Sequence, residues 1–145
     1  MQTHDLAFSF CAFTPIDASG TEEKETNHVP LHLTYEGLLK QTVIGCLTVM
    51  YDQRHLGKCF FDTTLGKHED YQCWLEILKR IPYAGGLNEP LAYYRIHGNS
   101  LSSNKLVAAS YVWKIMHTYQ HIPLPKALYY FSHYLFHAVI KHLKR

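Results

Sequence analysis

Apolar runs separated by polar segments divide this chain into three predicted strands and four predicted helices. The strands are expected at residues 6–13, 43–51 and 91–96, where aliphatic, aromatic and β-branched residues dominate. The helices are expected at residues 34–39, 67–80, 104–120 and 125–144, from the spacing of apolar residues and from capping signals. Residues 14–30 are polar and predict a loop or the tip of a hairpin. The order of elements indicates a mixed α/β fold that ends in two helices.

The most regular helical pattern lies in residues 67–80. Four side chains spaced at i, i+3, i+4 and i+7 predict one buried face: Tyr71, Trp74, Leu75 and Leu78. Pro82 and Gly85-Gly86 are expected to end this helix. The acidic pair Glu69-Asp70 falls at its start, where a carboxylate stabilises the helix dipole by about 0.3–1 kcal/mol. The same carboxylates could instead act as a general base facing a pocket, and both interpretations stay open.

Polar side chains also cluster after the third predicted strand. They are Arg95, His97, Ser100, Ser102 and Lys105, all within eleven residues. A guanidinium can bind phosphate oxygens in a bidentate manner, and a neutral imidazole binds metals or donates a hydrogen bond. Alternatively, Arg95 forms a structural ion pair, His97 is a solvent-exposed loop residue, and Ser102 or Ser103 caps the next helix. The two Trp residues are most simply core aromatics, although Trp74 could offer a stacking surface to a sugar.

Length and composition narrow the possible functions. The 145 residues, 47% of them hydrophobic, fit one domain, with an α/β part at 1–103 and a helical tail at 104–145. A net charge of +2 gives no case for nucleic-acid binding. The four cysteines lack metal-ligand spacing and lie among apolar neighbours, so buried reduced thiols are expected. With no signal-peptide pattern and no apolar run long enough for a membrane span, a cytoplasmic location is expected.

The last predicted helix has two distinct faces. One carries Leu128, Phe131, Leu135 and Ala138, and the other carries Lys126, Tyr130, His133, His137 and Lys141. The first face is expected to pack onto the domain. A basic, aromatic-rich helix of this kind could also lie on an anionic membrane surface, and the sequence leaves that alternative open.

Phosphate-binding and metal-binding signatures are missing from the sequence. There is no GxGxxG or GxxxxGK[ST] loop and no Asp-x-Asp pair to hold a divalent cation on a diphosphate. If the chain belongs to a nucleotide-using enzyme, we expect the nucleotide-binding half to lie elsewhere.

Several short motifs, taken in order, resemble the C-terminal half of a bacterial family 2 glycosyltransferase. They are Ile16-Asp17-x-x-Gly20, Ile44-Gly45-Cys46-x-Thr48, Glu69-Asp70-Tyr71-x-x-Trp74-Leu75 and Leu91-Ala92-Tyr93-Tyr94-Arg95. The likeness covers nearly the whole chain and is greatest to cell-envelope polysaccharide transferases of the GT-A fold. It implies a partial GT-A-like mixed sheet with flanking helices.

The resemblance also implies roles for individual residues. Asp70, with Glu69 beside it, would be the base that deprotonates the acceptor hydroxyl, giving transfer with inversion. Gly45, Cys46 and Thr48 would line the floor where donor sugar and acceptor meet. Arg95, His97, Ser100 and Ser102 would belong to a loop over the donor diphosphate and its metal, with His97 as a candidate metal ligand.

The partners implied by the resemblance are those of the full-length enzyme. They are a UDP-sugar donor, a carbohydrate or lipid-linked acceptor, a divalent cation (Mn²⁺ or Mg²⁺) and the surface of the inner membrane. The alternative is a catalytically incomplete remnant that serves as a binding, interaction or membrane-peripheral module.

Overall fold

The computed structural model describes residues 5–21, 23–96 and 104–143, with side chains as far as residue 140. Its elements are β1 (Phe8–Ile16), β2 (His32–Leu33), α1 (Tyr35–Lys40), a 3-10 turn (Cys46–Thr48), β3 (Met50–Tyr51), α2 (Gln53–Leu56), α3 (Glu69–Leu78), β4 (Ala84–Arg95), α4 (Lys105–Lys114) and α5 (Leu124–Leu143). A five-residue π-helix, Ile115–Tyr119, continues α4. The predicted α/β fold is therefore confirmed.

The described strands form one mixed sheet in the order β2-β4-β1-β3. β1 and β4 are parallel, whereas β2 and β3 pair antiparallel with their neighbours at the two edges. β1 is nearly all apolar and has most of its side chains buried, which suits a strand with neighbours on both sides. This mixed sheet with flanking helices agrees with the partial GT-A-like domain predicted above.

The core forms where α3 packs against β1. The predicted helical face is confirmed, because Tyr71, Trp74, Leu75 and Leu78 are all buried. The ring centroids of Phe8 and Trp74 lie 5.4 Å apart in a tilted arrangement. Since α3 is fixed through this contact, its first turn is held in a defined place beside the sheet.

The strand predicted at residues 43–51 is wrong over most of its length. The backbone forms the 3-10 turn Cys46–Thr48 there, and only Met50–Tyr51 pairs with β1. The cause is local, because both the backbone N–H and the hydroxyl of Thr48 donate to the carbonyl oxygen of Gly45, at 2.9 and 2.8 Å. A β-branched, apolar sequence is thereby folded into a turn.

Contrary to expectation, Gly85 and Gly86 do not end α3 but lie near the start of β4, whose first residue is Ala84. β4 runs over Ala84–Arg95 and is twice as long as the strand predicted at residues 91–96. Gly86 is needed because a Cβ atom there would lie 2.0 Å from the carbonyl oxygen of Pro30. The same residue donates its N–H to the Leu31 carbonyl, so glycine allows the two backbones to approach each other.

The four cysteines are free thiols, as expected, but they are not all buried. Cys73 is buried, Cys11 and Cys59 are half-buried, and Cys46 is exposed. Cys46 is exposed because it begins the 3-10 turn instead of lying within a strand.

The packed face of α5 is rotated from the one predicted: Phe131 packs as expected, and Tyr130, predicted on the other face, packs beside it. The helix contacts the domain through Ala127, Tyr130, Phe131 and Tyr134, spaced at i, i+3, i+4 and i+7. Leu128 and Leu135, expected on the packed face, are 53% and 41% exposed. The reason is that three tyrosine and phenylalanine rings, rather than the leucines, fill the space beside α1 and the π-helix.

A buried amide network ties α1, α3 and the end of the π-helix together. Gln120 Nε2 donates to Gln72 Oε1 and to Glu76 Oε1 at 2.8 and 2.7 Å. The hydroxyl of Tyr35 donates to Gln120 Oε1 at 2.8 Å. Burial, assisted by the charge of Glu76, raises the pKa of Tyr35 to about 12, so this donor keeps its proton at neutral pH.

We predict that Gln120→Ala lowers the free energy of unfolding by about 1–2 kcal/mol, because it leaves the buried amide of Gln72 and the half-buried hydroxyl of Tyr35 without their hydrogen bond, whereas the half-exposed Glu76 can turn to water. Urea denaturation followed by circular dichroism measures the change. Gln53→Ala, at an exposed position of α2, is the matched control and should change the free energy by less than about 0.5 kcal/mol. Equal losses in the two variants would contradict the role assigned to the network.

Candidate active site

The acidic pair lies in the first turn of α3, as the sequence predicted. Glu69 and Asp70 are both half-buried, and Asp70 Oδ1 accepts the N–H of Tyr71 at 2.8 Å. One oxygen of Asp70 is thus held by the backbone of its own helix. This contact orients the carboxylate without covering it completely.

His68, which directly precedes the pair, has an unusual backbone conformation. Its φ is +60°, in the left-handed region, at a cost of roughly 1–2 kcal/mol for a residue with a Cβ. Burial lowers the pKa of His68, and the carboxylates of Asp70 and Glu69 offset this only in part. The imidazole is therefore neutral at pH 7 and lies beside two acids. Backbone strain of this kind is concentrated at functional sites.

His68 was not among the predicted site residues. Its position next to Glu69-Asp70 was the only signal in the sequence, and neither its left-handed backbone nor its burial could be inferred from it. The ring of Tyr111, on α4, lies 6.5 Å from the imidazole. Contact with a helix distant in sequence therefore contributes to the burial that lowers the pKa.

The 3-10 turn brings three further predicted residues to the same place. Gly45 is required there, because a Cβ would lie 2.9 Å from Cε1 of Phe13. Cys46 is exposed as a residue, but partial burial of its thiol and the negative charge of Asp70 both raise the thiol pKa. The turn that holds Gly45, Cys46 and Thr48 is therefore within electrostatic range of Asp70, and the Thr48 hydroxyl is engaged with the Gly45 carbonyl.

Arg95 ends β4 and supports a neighbouring turn. Its Nη1 donates to the carbonyl oxygen of Ala18 at 2.7 Å. The guanidinium covers Gly20, which has φ +83° and where a Cβ would lie 2.9 Å from Nη1. Tyr94 connects this end of the sheet with the Gly45 turn, since its ring lies 5.7 Å from that of Phe13. Arg95 keeps further N–H donors beyond the one used here.

Trp74 lies in the core and has no free face for a sugar. It is 5% exposed, and its ring packs against Phe8 and, edge to face, against Phe61 at 5.6 Å. Its Nε1 is buried without a hydrogen-bond partner among the described residues. This placement corresponds to the core-aromatic interpretation rather than to a stacking surface.

The remaining predicted site residues, His97, Ser100 and Ser102, lie outside the described residues. In the part of the chain that is described, no three His, Cys, Asp or Glu side chains come together to form a metal site.

Sequence comparison shows what this fold and site belong to. The chain is 38% identical over 143 residues to a teichuronic acid biosynthesis glycosyltransferase, TuaG, of Bacillus subtilis. The aligned region covers 99% of the chain and 56% of the relative. It is 33% identical over 114 residues to UDP-Glc:alpha-D-GlcNAc-diphosphoundecaprenol beta-1,3-glucosyltransferase WfgD of Escherichia coli, covering 78% of the chain and 44% of the relative. No family model and no solved structure matches the chain.

These relatives define the class of protein. The chain is homologous to bacterial glycosyltransferases. It spans about half the length of the curated relatives it matches. This agrees with the resemblance to the C-terminal half of such an enzyme.

We predict that Asp70→Asn lowers the pKa of His68 still further, because the carboxylate that partly offsets the effect of burial is removed. Titration of the histidine side-chain signals by NMR measures the change. Asp62→Asn is the control, since the carboxylate of Asp62 interacts with Thr64 and should leave His68 unaffected. An unchanged pKa in Asp70→Asn would mean that the two groups do not face each other.

Proposed function

We propose that this chain forms the acceptor side of an enzyme that transfers a sugar from a nucleotide-diphosphate donor, with inversion, and that Asp70 is its catalytic base. The observation that carries the proposal is the position of Asp70, half-buried at the start of α3 beside the exposed Cys46 turn. A carboxylate next to a surface that substrate can reach is what deprotonation of a hydroxyl requires. Because the chain is homologous to glycosyltransferases, we assign this proton transfer to the deprotonation of an acceptor hydroxyl during sugar transfer.

The proposed step moves one proton and exchanges one bond. Asp70 accepts the proton of the acceptor hydroxyl while the hydroxyl oxygen attacks the anomeric carbon of the donor sugar. A carbon–oxygen bond forms to the acceptor, the bond from the anomeric carbon to the diphosphate breaks, and the nucleoside diphosphate leaves with the electron pair. Attack from the side opposite to the leaving group inverts the anomeric configuration.

The residues around Asp70 would serve this step by position. The turn at Gly45 and Cys46, with the ring of Phe13 packed against Gly45, would form the floor on which the sugar lies beside the carboxylate. Neutral His68 adds no positive charge next to Asp70, so it does not form an ion pair with the carboxylate. Glu69 would keep the local potential negative, which favours the transfer of a proton to a carboxylate.

The proposed substrates follow from the names of the relatives. The Escherichia coli relative is named for UDP-Glc as donor and a diphosphoundecaprenol-linked sugar as acceptor. We therefore infer a UDP-sugar donor and a lipid-linked or polysaccharide acceptor, met at the inner face of the membrane. Arg95, with His97, Ser100 and Ser102, would lie over the diphosphate, and Mn²⁺ or Mg²⁺ would be held by the nucleotide-binding half that the family resemblance implies.

We predict that Asp70→Asn lowers transfer by at least about 100-fold, the usual contribution of a general base. The assay uses a hybrid in which this chain replaces the matched half of the Bacillus subtilis relative, so that a nucleotide-binding half is present. The transfer rate is measured from the nucleoside diphosphate released. Glu69→Gln, one residue away in the same turn, is the matched control and should retain more than about a tenth of the rate.

Two results would contradict the proposal. The first is an active hybrid whose Asp70→Asn variant transfers sugar at the original rate. The second is equal affinity of the chain alone and of the hybrid for UDP and Mn²⁺ in isothermal titration. We expect the chain alone to bind far more weakly, and equal affinity would mean that it holds a complete nucleotide site of its own.

A further inference from the structure

Helix α5 leaves an apolar face uncovered. Leu124, Leu128, Leu135 and Val139 lie at spacings of four, seven and four residues and so share one side of the helix. Tyr129 and Phe136 border them, and all six side chains are between 41 and 62% exposed. We call these six residues the outer stripe. The neighbouring face of α5, with Ala127, Tyr130, Phe131 and Tyr134, packs on the domain, so the described part of the chain leaves the outer stripe uncovered.

The charge of the chain is distributed unevenly around this helix. From Asn104 to Arg145 the sequence contains no Asp or Glu but has six Lys and Arg residues. Residues 1–103 contain all 12 acidic residues and only eight Lys and Arg residues. The small net charge of the whole chain therefore conceals a basic helical tail attached to an acidic α/β part.

Charge decides which partner suits the outer stripe. A second copy of the chain would bring two basic helices together without an acidic residue on either, and like charges would oppose that contact. An anionic lipid surface offers both an apolar layer for the stripe and negative headgroups for the basic side chains. Lys40 Nζ lies 5.5 Å from the ring centroid of Tyr129, at the border of the stripe, where it would reach those headgroups.

We propose that the outer stripe of α5 lies in the plane of an anionic lipid bilayer and attaches the chain to it. The helix is 20 residues long, about 30 Å, and no helix in the described part of the chain is long and apolar enough to cross a membrane. An amphipathic helix with these properties binds in the interface, with its apolar face between headgroups and acyl chains. This proposal depends on the proposed function in one respect only, which is that the helix binds the inner face of the membrane.

Vesicle co-sedimentation tests this attachment directly. The purified chain should bind vesicles of phosphatidylcholine mixed with phosphatidylglycerol, and should bind pure phosphatidylcholine about tenfold more weakly. Raising the salt from about 0.1 M to about 1 M shortens the screening length from about 10 Å to about 3 Å, and should weaken the binding to the anionic vesicles. The double variant Leu128→Glu with Val139→Glu should bind at least about tenfold more weakly than the original chain.

Leu31→Glu is the matched control, because Leu31 is 65% exposed and lies outside the helical tail. It should bind vesicles like the original chain, and circular dichroism should show that every variant remains folded. Failure of the folded chain to bind anionic vesicles, or equal binding by the Leu128→Glu, Val139→Glu variant, would overturn the proposal. Dimers in solution that this variant converts to monomers would assign the stripe to a second copy instead. Because no transfer is measured, none of these results affects the role proposed for Asp70.

Discussion

The contact between α3 and β1 is the constraint on which the other features of this molecule depend. Phe8 is fully buried in the central strand, and Trp74 of α3 packs against it. This contact fixes both the position and the rotation of α3. Asp70, in the first turn of the same helix, is therefore held by the core and not by a loop. This arrangement suits the role proposed for Asp70, because a rigid element positions a side chain more accurately than a mobile one.

The sequence predicted what apolar periodicity alone determines. The buried face of α3 was identified correctly, since four large apolar side chains at helical spacing have no other good arrangement. Residues 43–51 were assigned wrongly because one hydroxyl and one N–H of Thr48 capture the carbonyl of Gly45 and fold the chain into a turn. These two hydrogen bonds determine the backbone conformation of the segment, and the spacing of apolar residues in the sequence does not reveal them.

Two other differences arose from contacts between segments distant in the sequence. β4 includes glycine, asparagine and proline, which are poor strand formers, and its register with β1 shifts where Asn88, Glu89 and Pro90 lie. The strand continues across this irregularity because it pairs with β1 on both sides of it. In the site, Asp70 and the Gly45 turn were predicted individually from motifs. His68 was not, because its burial and left-handed backbone arise only once α3 and α4 are packed.

The amide network connects the candidate site with the helical tail. Gln72 and Glu76 bind Gln120 from the same helix that has Asp70 in its first turn, about 9 Å along the axis from Asp70 to Glu76. α5 in turn packs on α1 and on the π-helix that ends at Gln120. A surface bound by α5 would therefore hold the carboxylate of Asp70 at a fixed height and orientation. If the acceptor is also confined to the lipid layer, the enzyme and the acceptor would meet by diffusion within a plane instead of in three dimensions. If both proposals hold, Gln120 would help to orient the site on the lipid layer through its hydrogen bonds to α3.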